Sequence, residues 1–159
     1  PLLFTRYALL PQVTLAQQVE PLPDQQAGGE GGVVYVQGEA RALAGAEQLA
    51  AQGVSAEVID LRTLNPLDDE TIAASVRRTH RAMVVTEAHL TGGFSAELSA
   101  RIQESCFDHL EEPVARVAGE DIPIPVSPPL ERGAVPNAQL IAETGLWLAR
   151  RTAPAWAAQ

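Results

Sequence analysis

Short apolar runs alternate along the chain with longer segments in which apolar residues recur at helical spacing. The runs, which are typical of strands, occupy residues 33–36, 56–61, 82–86 and 114–117. The helical pattern covers residues 39–52, 68–78 and 94–106, and a last helix is expected to begin at Asn137. Because strands that alternate with helices are joined by right-handed crossovers, the pattern predicts an α/β fold. We expect three α/β/α layers around a mostly parallel sheet of about five strands.

Polar residues and glycine mark the expected helix ends. Asp68 is placed to cap the second helix, whose first turn is acidic and whose last turn carries Arg77 and Arg78. These charges complement the helix dipole at both ends. Gly53 stands where a glycine ends the preceding helix. In the third helix, the apolar stripe at i, i+4 spacing ends at Cys106, which is therefore expected to be a buried and inert thiol.

The two ends of the chain differ from the segment between them. Residues 1–31 contain prolines, a Gln-rich stretch and a glycine-rich run, and we expect an inter-domain linker that is partly flexible. Residues 32–151 are expected to form the folded domain, with a proline-rich irregular stretch at 122–136, and residues 152–159 a frayed tail. The chain has neither an initiator Met nor an apolar run of membrane-spanning length, so it is expected to be a soluble piece of a longer protein.

The charge balance excludes several functions. The net charge is −9, and all 11 basic residues are arginines. Without lysine, the chain has no Walker-type phosphate loop, no Schiff-base nucleophile and no lysine-rich patch for nucleic acid or anionic lipid. An acidic surface instead favours a basic protein partner. The single cysteine cannot form an internal disulfide, which favours a reducing, cytoplasmic compartment.

Candidate chemistry is expected in the loops that follow the strands, because open parallel sheets bind ligands beyond the carboxyl ends of their strands. Gln37–Arg41 lacks the glycine spacing of a dinucleotide loop, although a phosphate can bind at such a helix start. Asp60 and Arg62 fit either a base with an anion clamp or purely structural ion pairing. Glu87 and His89 fit either an acid–base pair or a structural loop that touches a partner. We favour the structural interpretation in each case.

Longer motifs resemble one family. Gly53–Asp68 is similar to the C-terminal domain of 2-oxo acid dehydrogenase beta subunits, which has the transketolase C-terminal fold. Leu90–Phe94 and Leu110–Glu111 resemble the branched-chain enzymes in particular. Asp121–Pro125 looks more like the pyruvate or acetoin enzymes. The resemblance covers roughly residues 53–148, its segments come in family order, and it leaves the substrate class open.

The resemblance implies a division of labour within a larger enzyme. Thiamine diphosphate and Mg²⁺ would be held by the N-terminal domain of the beta subunit and by the alpha subunit, so this chain alone is expected to be inactive, with no catalytic, cofactor or metal site. The C-terminal domain would support assembly with the alpha subunit and a second beta subunit. It would also bind the basic subunit-binding domain of the dihydrolipoyl acyltransferase through Glu111, with Glu112 beside it.

Two alternative functions remain open at this point. The first is a stand-alone α/β domain that binds a small ligand in the loop around His89. The second is the matching domain of another transketolase-like enzyme, against which the motifs between Leu90 and Gly119 argue.

Overall fold

We describe the fold from a computed structural model, which defines residues 40–61 and 63–150 and the backbone of two further strands. The strands of this described part are β1 (Ala16–Val19), β2 (Val33–Val36), β3 (Ala56–Leu61), β4 (Ala82–His89) and β5 (Ala115–Gly119). The helices are α1 (Ala40–Ala50), α2 (Asp69–Thr79), α3 (Phe94–Cys106), α4 (Pro128–Ala134) and α5 (Ala138–Arg150), and a 3-10 turn, Phe107–His109, follows α3.

The described strands form one sheet in the order β1-β3-β2-β4-β5. All neighbours are parallel except β1, which pairs antiparallel with β3 at the edge. Helices α1 and α5 pack against each other on one face, while α2 and α3 cover the other. The predicted α/β class with a mostly parallel sheet is therefore confirmed. Because the strand order reverses at β2, the sheet has a topological switch point between β2 and β4.

Each face of the sheet has its own apolar core, because successive strand side chains point to opposite faces. In β3, Val58 contributes to the core beneath α1 and α5, and Ile59 to the core beneath α2 and α3. Met83 and Val84 divide in the same way in β4. Gly45 brings α1 close to α5, since a Cβ there would lie 2.5 Å from Cγ2 of Ile141 and leave no room for a larger residue.

The helix ends follow the sequence signals closely. The carboxylate of Asp68 accepts hydrogen bonds from the backbone N–H of Thr71 at 3.1 Å and from its hydroxyl at 2.8 Å, so the predicted N-cap is confirmed. Gly53 has φ +80° immediately after α1, a conformation that favours glycine. Asn137 caps α5 by accepting the backbone N–H of Leu140 at 2.8 Å.

Two segments differ from the prediction. The irregular stretch expected at 122–136 contains α4, which begins with Pro128 and Pro129; proline is tolerated in the first helical turn because the N–H groups there lack helical partners anyway. The segment expected to be a linker contains β1, whose Ala-Gln-Gln-Val sequence has little strand propensity. That strand depends on pairing with β3, from Ala16 opposite Leu61 to Val19 opposite Val58. The rest of 1–31 and the predicted tail lie outside the described residues.

None of the helices in the described part of the chain is both long enough and apolar enough to cross a bilayer.

Candidate functional site

The carboxyl ends of β2 and β4 flank the switch point, where ligands bind in many open α/β sheets. Arg41, in the first turn of α1, forms an ion pair across this crevice with Glu87, near the end of β4. Glu87 is thus held by Arg41 rather than by His89, so the alternative acid–base pair is not formed. The arrangement supports the structural interpretation of this loop.

The next loop is held against β5 by a second carboxylate. Asp121 accepts the backbone N–H of Thr91 at 2.9 Å and its hydroxyl at 2.6 Å. These two bonds hold the pKa of Asp121 below the ordinary value of 3.8, and the charges of His89 and Arg116 lower it further. Arg116 in turn donates to the carbonyl of Leu90 at 3.0 Å. The charged groups of this loop therefore serve to fix its own conformation.

Two glycines allow this loop to approach the strands closely. A Cβ at Gly93 would lie 2.1 Å from the carbonyl oxygen of His89. A Cβ at Gly119 would lie 2.4 Å from the carbonyl oxygen of Glu87. Both distances are far inside van der Waals contact, so the backbone paths of β4, β5 and the loop between β4 and α3 depend on glycine at these two positions.

A cleft of about 370 Å³ lies between the end of β5, α4 and the start of α5. Glu120 and Glu143 line it, and Glu143 accepts a hydrogen bond from Gln139 at 2.9 Å. No group of three or more His, Cys, Asp or Glu side chains in the described part of the chain is arranged to hold a metal ion. The described residues therefore do not fit a Mg²⁺-diphosphate site, and we route no chemistry through such a group.

Other sequence candidates have different outcomes. Asp60 is half-buried in β3 and takes part in contacts of its own. Its predicted companion Arg62 and the loop at residues 37–39 lie outside the described residues, so the anion clamp and the phosphate site stay predictions. Cys106 is buried at the end of α3, with Sγ 3.9 Å from the carbonyl oxygen of Ala73. The predicted structural role of this thiol is confirmed.

The opposite edge of the sheet, at the amino ends of β4 and β5, carries the predicted partner-binding acids. Arg81, directly before β4, donates from Nη2 to Oε2 of Glu111 at 2.5 Å. The Arg81 side chain is 13% exposed and that of Glu111 45% exposed. A largely buried guanidinium is therefore compensated by a carboxylate that still faces solvent. Glu112, the next residue, is half-buried and takes part in contacts of its own.

Backbone hydrogen bonds make this edge rigid. The N–H of Glu111 donates to the carbonyl of His80 at 2.9 Å. The His80 ring lies 2.9 Å, Nδ1 to oxygen, from the carbonyl of His109. His80 ends α2 in the left-handed conformation, with φ 61°. The turn between α2 and β4 thus holds the whole segment that carries Glu111, and the carboxylate is preorganised.

Sequence reasoning missed one exposed side chain at this edge. Phe107 opens the 3-10 turn after α3, and it is 68% exposed. A signal for it was present, because the core stripe through Leu98, Ile102 and Cys106 leaves the following position off the buried face.

Comparison with known families agrees with this architecture. A family model described as the C-terminal domain of transketolase matches residues 38–141, about two thirds of the chain. The chain belongs to the transketolase C-terminal domain family. Within the match lie the predicted motifs at Gly53–Asp68 and Leu90–Phe94 as well as the rigid edge at Glu111.

Individual relatives are beta subunits of 2-oxo acid dehydrogenases. The mitochondrial pyruvate dehydrogenase E1 component subunit beta-1 of Arabidopsis thaliana is 49% identical over 96 residues, covering 60% of this chain and 26% of that protein. The 2-oxoisovalerate dehydrogenase subunit beta of Pseudomonas aeruginosa is 56% identical over 73 residues, covering 46% of this chain and 21% of that protein. The predicted family is therefore confirmed, and the chain matches about a quarter of the length of these relatives.

A solved structure shares the fold. It is a split-gene transketolase in an inactive beta4 tetramer, with a TM-score of 0.58 and 26% sequence identity, covering 77% of this chain and 40% of that chain.

Proposed function

We propose that this chain is the C-terminal domain of the beta subunit of a thiamine-diphosphate-dependent 2-oxo acid dehydrogenase. In the complete enzyme it supports assembly with the alpha subunit and a second beta subunit, and it binds the basic subunit-binding domain of the dihydrolipoyl acyltransferase. Glu111 and Glu112 are the acids that this partner would contact. The observation that carries the proposal is the Glu111 carboxylate, rigidly held by Arg81 yet open to solvent at the amino edge of the sheet, in a chain with net charge −9.

The assembly role is supported by apolar side chains at the opposite, carboxyl edge. Four of them are exposed within the proline-rich stretch after β5, and Val126 is 99% exposed. These side chains are Ile122, Ile124, Val126 and Leu130. A contiguous apolar surface of this kind is typical of a protein–protein contact. The similar split-gene transketolase chain is described as a tetramer, which fits a fold that associates through such surfaces.

The cofactor belongs, in this proposal, to other parts of a cytoplasmic enzyme. Thiamine diphosphate supplies the decarboxylation chemistry when bound, and this chain contributes surfaces for assembly. Isothermal titration of the isolated chain with thiamine diphosphate and Mg²⁺ is expected to give no binding heat. Saturable binding, or turnover of a 2-oxo acid by the isolated chain, would contradict the proposal.

Binding of the acyltransferase domain is the direct test. The chain is immobilised, and subunit-binding domains from a pyruvate and from a branched-chain dihydrolipoyl acyltransferase are passed over it at two salt concentrations. At least one of them is expected to bind, more weakly at high salt because the contact is between opposite charges. Which domain binds more tightly also identifies the substrate class.

Charge variants then locate the contact. Glu111→Arg is expected to weaken binding far more than Glu47→Arg, since Glu47 is exposed on α1, in a different layer of the fold. Glu111→Arg also places two arginines together and removes the counter-charge of Arg81. Glu111→Gln and Glu112→Gln are therefore measured beside it, each with its unfolding midpoint. Equal effects at Glu111 and Glu47 would refute the assignment.

A further inference from the structure

Phe107 is the most exposed of the phenylalanines that the structure describes. Its side chain is 68% exposed, whereas Phe94, at the start of α3, is half-buried. The 3-10 turn that carries Phe107 is closed by a hydrogen bond from the N–H of Leu110 to the Phe107 carbonyl at 3.2 Å. The ring therefore projects from an ordered turn one residue before the rigid segment at Glu111. An aromatic ring in this position raises the question of what covers it.

The surroundings of Phe107 are acidic. Four carboxylates lie between residues 104 and 112, against the one guanidinium of Arg81 that pairs with this segment. They belong to Glu104, Asp108, Glu111 and Glu112. An aromatic centre with a charged rim is the usual anatomy of a protein interface, in which the aromatic side chain supplies affinity and the rim charges steer the partner.

The charges also decide which occupant fits. An anionic membrane surface would be repelled by the four carboxylates. A second copy of this chain, related by a two-fold axis, would bring two such acidic surfaces together, and like charges across an interface are unfavourable. A basic protein domain meets neither obstacle, because its cations would face the rim while an apolar side chain or an aliphatic stem covers the ring.

We propose that Phe107 is the apolar anchor of the surface that binds the basic acyltransferase domain. This inference rests on the proposed function and extends it, because it places the centre of the contact on the 3-10 turn rather than on the carboxylate of Glu111 alone. Affinity then depends on the burial of the ring, and the rate of association depends on the acids around it.

The test measures association and dissociation rates of the acyltransferase domain with three variants of the whole chain. Phe107→Ala is expected to weaken binding about tenfold or more through faster dissociation, with the association rate unchanged. Asp108→Asn, at an exposed acid with no apolar surface, is expected to slow association and reduce its salt dependence. Leu64→Ala is the matched control, because Leu64 is exposed at the other edge of the sheet, and it is expected to bind normally.

The outcomes separate the two proposals. If the unsubstituted chain binds no acyltransferase domain, the proposed function fails. If the unsubstituted chain binds and Phe107→Ala binds equally well, the proposed function stands and the anchor is refuted. Phe107→Tyr, which keeps the ring, controls for altered folding: it is expected to retain tight binding, and a loss as large as that of Phe107→Ala would also refute the anchor.

Discussion

Replacing Glu111 with glutamine tests the ion pair that fixes the amino edge of the sheet. Removing one partner of a fully buried ion pair costs about 3–5 kcal/mol, because the other charge is left uncompensated. A fully exposed pair is worth at most about 1 kcal/mol. Arg81 is largely buried and Glu111 is nearly half-exposed, so solvent can screen the guanidinium only in part. We therefore expect Glu111→Gln to lower the free energy of unfolding by about 1–2 kcal/mol.

Thermal unfolding followed by circular dichroism measures this effect. In a chain of this size the expected loss lowers the unfolding midpoint by about 2–8 °C. Glu97→Gln is the control, because it removes the exposed i,i+4 pair between Glu97 and Arg101 on α3 and should shift the midpoint less. Arg81→Met combined with Glu111→Gln should recover part of the loss, since no buried charge is then left unpaired. Equal shifts for Glu111→Gln and Glu97→Gln would show that the burial of Arg81 has no energetic consequence.

Three further predictions concern the fold around the sites. Asp68→Ala removes the N-cap of α2 and should cost about 1 kcal/mol in chemical denaturation, whereas Asp68→Asn should restore most of it. Gly93→Ala should destabilise the chain by about 1–3 kcal/mol or more, because its Cβ would overlap the carbonyl oxygen of His89; an unchanged midpoint would mean that the loop moves freely. Asp121 has a lowered pKa, so its stabilising effect is present above pH 3.8 and lost as the pH falls through the lower folded value. Thr91→Val should raise that pKa in a carboxyl NMR titration, and an unchanged titration would exclude the hydroxyl bond as its main cause.

Local signals in the sequence predicted most of the regular fold. The Asp68 cap, the glycine after α1 and the Asn137 cap are short-range interactions, so the sequence pattern alone locates them. β1 and α4 were missed for a different reason. A four-residue strand of low propensity depends on its neighbour β3, and the two prolines at the start of α4 indicate an irregular segment unless the position of a helix start is already known.

The candidate sites show the same difference. Sequence motifs indicated Glu111, but they did not indicate that Arg81, 30 positions earlier in the chain, binds its carboxylate. Glu87 was paired on paper with His89, two residues away, although its partner in the structure is Arg41. Long-range ion pairs depend on how the strands are ordered in the sheet, and a single sequence carries no direct signal of that order.

The position of the two proposed surfaces has a further consequence for assembly. Glu111 lies before β5 and Val126 lies after it, and a five-residue strand spans roughly 15 Å. Because the surfaces are at opposite edges of the sheet, subunits bound at one edge need not block the acyltransferase at the other. Val126→Asp, measured by light scattering with the alpha subunit and by binding of the acyltransferase domain, should impair assembly and leave the affinity per chain unchanged. If both measurements change together, the two edges are not independent surfaces, and the division proposed for them is wrong.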